Sequence, residues 1–197
     1  IVSVEREKRP DDAAEVVFPQ TCPVCGAPVL RDPDGAAIRC TGAECPAQLL
    51  RNLIHFAARD AMDIDGVGPA VLQQLIEAKL VANPADLYDL TAEQLKKLER
   101  MGAKSAQNAV EAIAKSKEND LWRLIYALGI RQVGEKAAKV LAAHFGSMDA
   151  LRRATAEELT QIDDVGAVTA DYITRWMQSE QAADLLERLK NAGLNME

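Results

Sequence analysis

ALGIRQVGEKAA, residues 127–138, is the stretch on which the fold turns. Ala127, Ile130 and Val133 are apolar at intervals of three, Gly134 follows at once, and Ala138 comes four residues later. Sliding the frame along the chain, Ala61, Leu95 and Leu159 fall on Ala127, while Ile64, Leu98 and Ile162 fall on Ile130. Val67, Met101 and Val165 then match Val133, Gly68, Gly102 and Gly166 match Gly134, and Leu72, Ala106 and Ala170 match Ala138. Successive glycines are 34, 32 and 32 residues apart, the length of a two-helix unit copied four times. Each copy reads as a helix, a tight hairpin and a second helix. The recurring glycine is expected at positive φ, where the backbone bends and lies bare. The helix that follows aims its free N–H groups and positive dipole end at the same point, and a phosphate is the natural occupant.

Outward from the repeats, the pattern is helical from Pro46 onward. Apolar residues make up 48% of the 197-residue chain but aromatics only 4%, a composition suited to close-packed helices rather than a β-sandwich. The chain is long enough to bury a core and is expected to fold. No apolar run approaches the roughly 18 residues needed to span a bilayer, and no secretion signal opens the chain. A soluble, unsecreted protein is therefore expected. The opening IVSVE (residues 1–5) alternates as an edge strand does with nothing before it to pair against, so the chain is expected to be a piece of a larger protein. Residues 1–21 cannot assemble a core by themselves.

Between these regions lie four cysteines in the pattern Cx2Cx14Cx4C: Cys22, Cys25, Cys40 and Cys45. VL and AAI flank the turn signal Pro33, Asp34, Gly35, so a small hairpin brings the two short cysteine loops together. Four thiolates from two such loops are the ligand set of tetrahedral zinc, with no open position for water, hence a structural ion. Disulfides and another metal are the alternatives. His55 lies ten residues beyond Cys45 in a helical pattern, where packing or capping is expected of it rather than ligation.

The formal net charge is −7, yet it is unevenly spread. Residues 51–95 carry three basic and seven acidic groups, residues 96–139 ten and five, and residues 140–197 five and ten. Positive charge concentrated on hairpins two and three is the footprint expected on nucleic acid. The candidate contacts are Gly66, Gly68, Arg100, Gly102, Lys104, Arg131, Gly134, Lys136, Lys139 and Gly166. Hairpin one, with Asp63, Asp65 and Pro69, and hairpin four, with Asp163 and Asp164, are expected to bind more weakly. Amides gripping phosphates read position and not bases. Four hairpins at one or two phosphates each imply a log–log salt slope of roughly −4 to −6. The competing reading is a helical repeat that binds protein.

HFAARDAMDIDGVG (55–68), LERMGAKSAQN (98–108), ALGIRQVGE (127–135) and DDVGAVTA (163–170), behind CPVCG (22–26) and CTGAEC (40–45), resemble the C-terminal-side part of the bacterial NAD-dependent DNA ligases. The resemblance implies a mainly α chain: the end of an OB-fold or a linker at 1–21, a four-cysteine zinc finger at 22–50, and four helix-hairpin-helix motifs at 51–197. It also implies one zinc ion, a nicked double-stranded DNA partner gripped across the minor groove, contact with other ligase domains, and a cytoplasmic, membrane-free setting. NAD and magnesium belong by the same resemblance to domains outside this chain. The family's nucleophile is the lysine of a KxDG motif, and Asp32 stands where that lysine belongs before Asp34 and Gly35. No adenylation is therefore expected of this chain alone. Ala58 and Arg100 replace the Ser and first Gly of the family pattern. The hairpin domain of an excision or junction-processing protein shares such repeats and is the rival within the same chemistry.

Overall fold

The computed structural model describes residues 10, 12–14, 16–31, 37–40 and 45–197. The IVSVE strand, the Pro33–Asp34–Gly35 turn and residues 41–44 of the second cysteine loop lie outside the described residues, as does Asp32. The chain divides into two compact units, residues 1–45 and 46–197.

In the first unit, β1 (Val29–Arg31) and β2 (Ile38–Cys40) pair antiparallel, Val29 opposite Cys40 and Arg31 opposite Ile38. Before them the CPVCG run closes on itself: the Gly26 amide donates to the Cys22 carbonyl at 2.9 Å and the Cys22 amide to the Ala27 carbonyl at 2.7 Å. Gly26 takes φ +74°, a conformation costly for any residue with a Cβ.

The second unit is helical. Its elements are α1 (Pro46–Ala57), α2 (Pro69–Glu77), a 3₁₀-helix (Pro84–Asp89), α3 (Ala92–Leu95), α4 (Ala103–Ser116), α5 (Leu121–Ala127), α6 (Glu135–Phe145), α7 (Met148–Arg153), α8 (Ala156–Thr160), α9 (Ala167–Met177) and α10 (Glu180–Asn191). The 50/51 boundary expected from sequence falls inside α1. Four contacting pairs, α1/α2, α3/α4, α5/α6 and α8/α9, are hairpins one to four. The apolar frame buries as its spacing dictates. Ala61, Leu95, Ala127 and Leu159 are buried, as are Leu72, Ala106, Ala138 and Ala170, in one continuous core. No helix among the described residues is long and apolar enough to cross a membrane.

Polar ties join the hairpins. His55 of α1 meets the Tyr126 carbonyl through Nε2 at 2.8 Å, with the two rings edge to face. His55 thus packs one hairpin against another, the role expected of it. The Asn119 amide group donates to the Met62 carbonyl at 2.7 Å, and Arg123 donates to the Arg59 carbonyl. Ser116, a buried polar residue, shares a hydrogen bond with the Tyr88 hydroxyl and donates to the Ile113 carbonyl, so neither oxygen is stranded.

Candidate zinc centre and nucleic-acid interface

The knuckle and hairpin of the first unit converge the four cysteine sulfurs. All four Sγ atoms lie within 4.8 Å of one another. Cys22 and Cys45 are 3.9 Å apart and Cys25 and Cys40 3.4 Å. Zn–S bonds of about 2.3 Å in a tetrahedron place sulfurs about 3.8 Å apart, so the set fits zinc with small adjustments. All four thiols are free, and their convergence on one point is that of a single ligand set rather than of two separate pairs. The backbone amides of Cys25 and then Val24 point at the Cys22 sulfur and hold its pKa down at about 6. At Cys25 the Ala27 amide pulls down, but the sulfurs of Cys40, Cys45 and Cys22, together with burial, outweigh it and push the thiol up to about 12. Sulfurs crowded this closely resist carrying four negative charges unless a divalent cation neutralises them. The cluster is that of a four-cysteine zinc finger, and Cys22, Cys25, Cys40 and Cys45 would fill all four coordination positions of the ion.

The hairpins of the second unit share one backbone design, and it corrects one expectation. Gly68, Gly102, Gly134 and Gly166 do not take positive φ: their values are −82°, −77°, −84° and −77°, with ψ between 167° and 178°. Positive φ falls two residues earlier, at Gly66 (81°), Arg100 (59°), Gln132 (65°) and Asp164 (66°). The reason is the turn. In hairpins two to four the amide of Met101, Val133 or Val165 donates to the carbonyl three residues back, at Leu98, Ile130 or Ile162. The third residue of such a four-residue turn is the one thrown into the left-handed region.

The recurring glycine is instead the N-cap of the second helix. Its carbonyl accepts the first helical bond, from Leu72, Ala106, Ala138 or Ala170, at 2.9–3.0 Å. None of these four helices has a side-chain cap. Five other helical segments differ: the 3₁₀-helix, α3, α7, α8 and α10 are capped by the side chains of Asn83, Thr91, Ser147, Thr155 and Ser179, while α5, behind Asp120, makes no side-chain cap bond. A Cβ added at Gly68, Gly102, Gly134 or Gly166 would meet nothing within 4 Å. The fold itself therefore does not demand glycine there. Gly66 is different, because its added Cβ would lie 3.3 Å from that of Ala109 on α4. It is the close-approach point of hairpins one and two.

Arg100, Lys104, Arg131, Lys136 and Lys139 of hairpins two and three are all exposed, but they are not equally available. Arg100 and Lys104 have no ion pair among the described residues. Lys136 reaches Asp164 at 2.8 Å and Lys139 reaches Glu135 at 2.6 Å. Lys139 also sits 4.4 Å over the Trp122 ring, and Arg131 lies 4.8 Å over that of Tyr172. The Lys139–Glu135 pair was open to reading from the i, i+4 spacing. The positive-φ residue Gln132 and the Lys136–Asp164 pair had no local signal.

Comparison with known proteins assigns these parts separately. A family model for the NAD-dependent DNA ligase C4 zinc finger domain matches residues 21–47. A SAM-like helix-hairpin-helix tandem matches residues 58–115, and a helix-hairpin-helix motif matches residues 123–186. DNA ligase of Heliobacterium modesticaldum is 53% identical over 197 residues, covering 100% of this chain and 29% of that protein. DNA ligases of Carboxydothermus hydrogenoformans and Bacillus licheniformis are 51% and 47% identical over 195 residues, each covering 99% of this chain and 29% of the relative. The chain thus spans under a third of the length of the curated relatives it matches. Residues 21–47 thus carry the zinc finger of the NAD-dependent DNA ligases, and along its whole length the chain matches a C-terminal-side part of bacterial DNA ligases, with helix-hairpin-helix motifs behind the finger.

Proposed function

We propose that this chain is the non-catalytic, duplex-gripping portion of a nick-sealing ligase, and that it holds DNA by its sugar-phosphate backbone regardless of sequence. The observation that carries this is the set of four uncapped helices behind bare glycines, in a molecule where five of the other helical segments carry Ser, Thr or Asn caps. Exchanging a side-chain cap for glycine costs a helix only a few tenths of a kcal/mol. What it leaves is main-chain donors in open space at the positive end of a dipole, where a phosphate oxygen is well received. Arg100, Gly102 and Lys104 make hairpin two the strongest grip, followed by Arg131, Gly134, Lys136 and Lys139 on hairpin three. Gly68 and Gly166 contribute amides without cations, and Gly66 supports the first turn.

The finger needs its zinc for folding rather than chemistry, and it orients neighbouring ligase domains or touches DNA. NAD, magnesium and the adenylated lysine belong to the rest of the parent enzyme, whose substrate is nicked duplex in replication and repair in the cytoplasm. Neither is routed through residues of this chain.

Binding of the chain to nicked duplex across a salt series, with zinc quantified on the same sample, tests the proposal. A log–log slope of roughly −4 to −6 is expected, with little dependence on base sequence. Joint replacement of Gly102 and Gly134 by Val should weaken binding at every sequence while the helical circular dichroism stays intact. Unchanged low-salt affinity of that double variant would remove the phosphate grip. A strong preference for junctions over nicks would favour a junction-processing role instead.

A further inference from the structure

An ion pair joins hairpins three and four. Lys136 stands in the first turn of α6, beside the bare Gly134, and its Nζ lies 2.8 Å from Oδ2 of Asp164, the positive-φ residue of hairpin four. The lysine side chain is 80% exposed and the aspartate 42%, so the contact stands in solvent. Hydrogen bonding and charge from Asp164, with a lesser push from Asp163, hold the lysine above its ordinary pKa.

The turn does not need an acid at this place. Gly66, Arg100 and Gln132 occupy the same backbone position in the other three hairpins, all at positive φ. Nor does the helical unit need the bond, since ion pairs this exposed add little to stability. What the carboxylate does is fill the donor that hairpin three would otherwise offer to an anion. Carboxylate and phosphate oxygens compete for the same ammonium hydrogens.

We propose that Asp164 is an internal stand-in for a DNA phosphate, occupying Lys136 in the free protein and giving way when the duplex backbone arrives. This rests on the backbone-binding function proposed above. It makes the grip graded: hairpin two, where Arg100 and Lys104 have no ion pair among the described residues, engages first, and the pair formed by hairpins three and four engages at the cost of one internal bond. Asp164 is a positioning residue here, acting on DNA through Lys136.

The test is a double-mutant cycle on the full chain with Asp164→Asn, Lys136→Met and both, each bound to nicked duplex over a salt series. Asparagine tolerates the left-handed conformation, so the turn survives. Asp164→Asn is expected to bind about two- to fivefold tighter at low salt, with the salt slope steeper by about one. Lys136→Met is expected to bind more weakly, and the gain from Asp164→Asn is expected to shrink in that background. Equal or weaker binding by Asp164→Asn, with its melting temperature retained, overturns the proposal. So does a gain of equal size in both backgrounds, because Asp164 then acts as a general repulsive charge. Failure of the unaltered chain to bind any duplex strikes instead at the backbone-binding function itself.

Discussion

Residues 16–45 leave Val16, Val17, Phe18, Val24 and Leu30 in solvent, whereas among the large apolar side chains of residues 46–197 only Val168 is comparably exposed. The first unit has two three-residue strands and four converging sulfurs; the second has a continuous core beneath four copies of one motif. The difference is where cooperativity comes from. A hairpin this small is marginal in water and must borrow stability from a metal. Eleven short helical segments, most of them too short to persist alone, borrow it from each other's apolar faces. Removing one ion should thus ruin one unit and spare the other.

The largest expected effect follows directly. Chelation, or Cys25→Ser, should release the zinc and unfold residues 22–45, since the metal supplies on the order of 10 kcal/mol in comparable peptides. Helical circular dichroism should persist. Retention of one zinc per chain by Cys25→Ser in native mass spectrometry, or collapse of the helical signal on chelation, breaks the comparison. The complementary change is Leu141→Ala, which truncates a side chain with no exposure on α6. A loss of about 2–5 kcal/mol is expected, lowering the melting temperature by about 5–15 °C while the zinc content stays at one. A melting temperature unmoved by the truncation means the core is not continuous there.

Acid separates the units further. Thiolate ligands must stay deprotonated, so the finger loses its metal as pH falls. In the helical unit Asp86 acts at lower pH. Burial raises its pKa, but the Ala82 amide, Arg188 at 2.5 Å and the Asn83 amide together outweigh burial and leave it below the ordinary value. A carboxyl whose folded pKa lies below its unfolded value of about 3.9 stabilises above that pH, and the stabilisation is lost as pH falls through the folded value. Asp86→Asn should therefore cost about 1–2 kcal/mol at neutral pH and flatten the decline in melting temperature below about pH 4. An unchanged decline assigns the acid sensitivity elsewhere.

The two units also differed in how far sequence could be read. Cysteine spacing encodes the ligand set of the finger, because the ligands lie close in the chain and the metal's geometry is fixed. The hairpins were visible through Gly68, Gly102, Gly134 and Gly166, which recur because every copy makes the same junction. Their conformation was not, because a glycine signals permission and not use. Arg100, Gln132 and Asp164 carry the positive φ without being the residue that advertises it. Aligning them with Gly66 was the available clue. Pairing was less accessible still: Lys136 and Asp164 meet only after two hairpins have packed, as do Asp86 and Arg188.

The finest comparison sets one glycine against another within the helical unit. Gly66 has φ +81° and would bring an added Cβ to 3.3 Å from Ala109, so its demand for glycine is internal. Gly102 has φ −77° and open space around an added Cβ, so the helix asks little of it beyond an N-cap. Gly66→Ala should cost about 1–2 kcal/mol through backbone strain and the displaced α4. Its DNA affinity should follow the remaining folded fraction. Gly102→Ala should cost only about 0.5 kcal/mol, yet weaken duplex binding at a temperature where the chain is fully folded. Melting curves and affinity measured together resolve the two cases. If Gly102→Ala lost stability as Gly66→Ala does while binding unchanged, the bare glycines would be serving the fold and not a ligand.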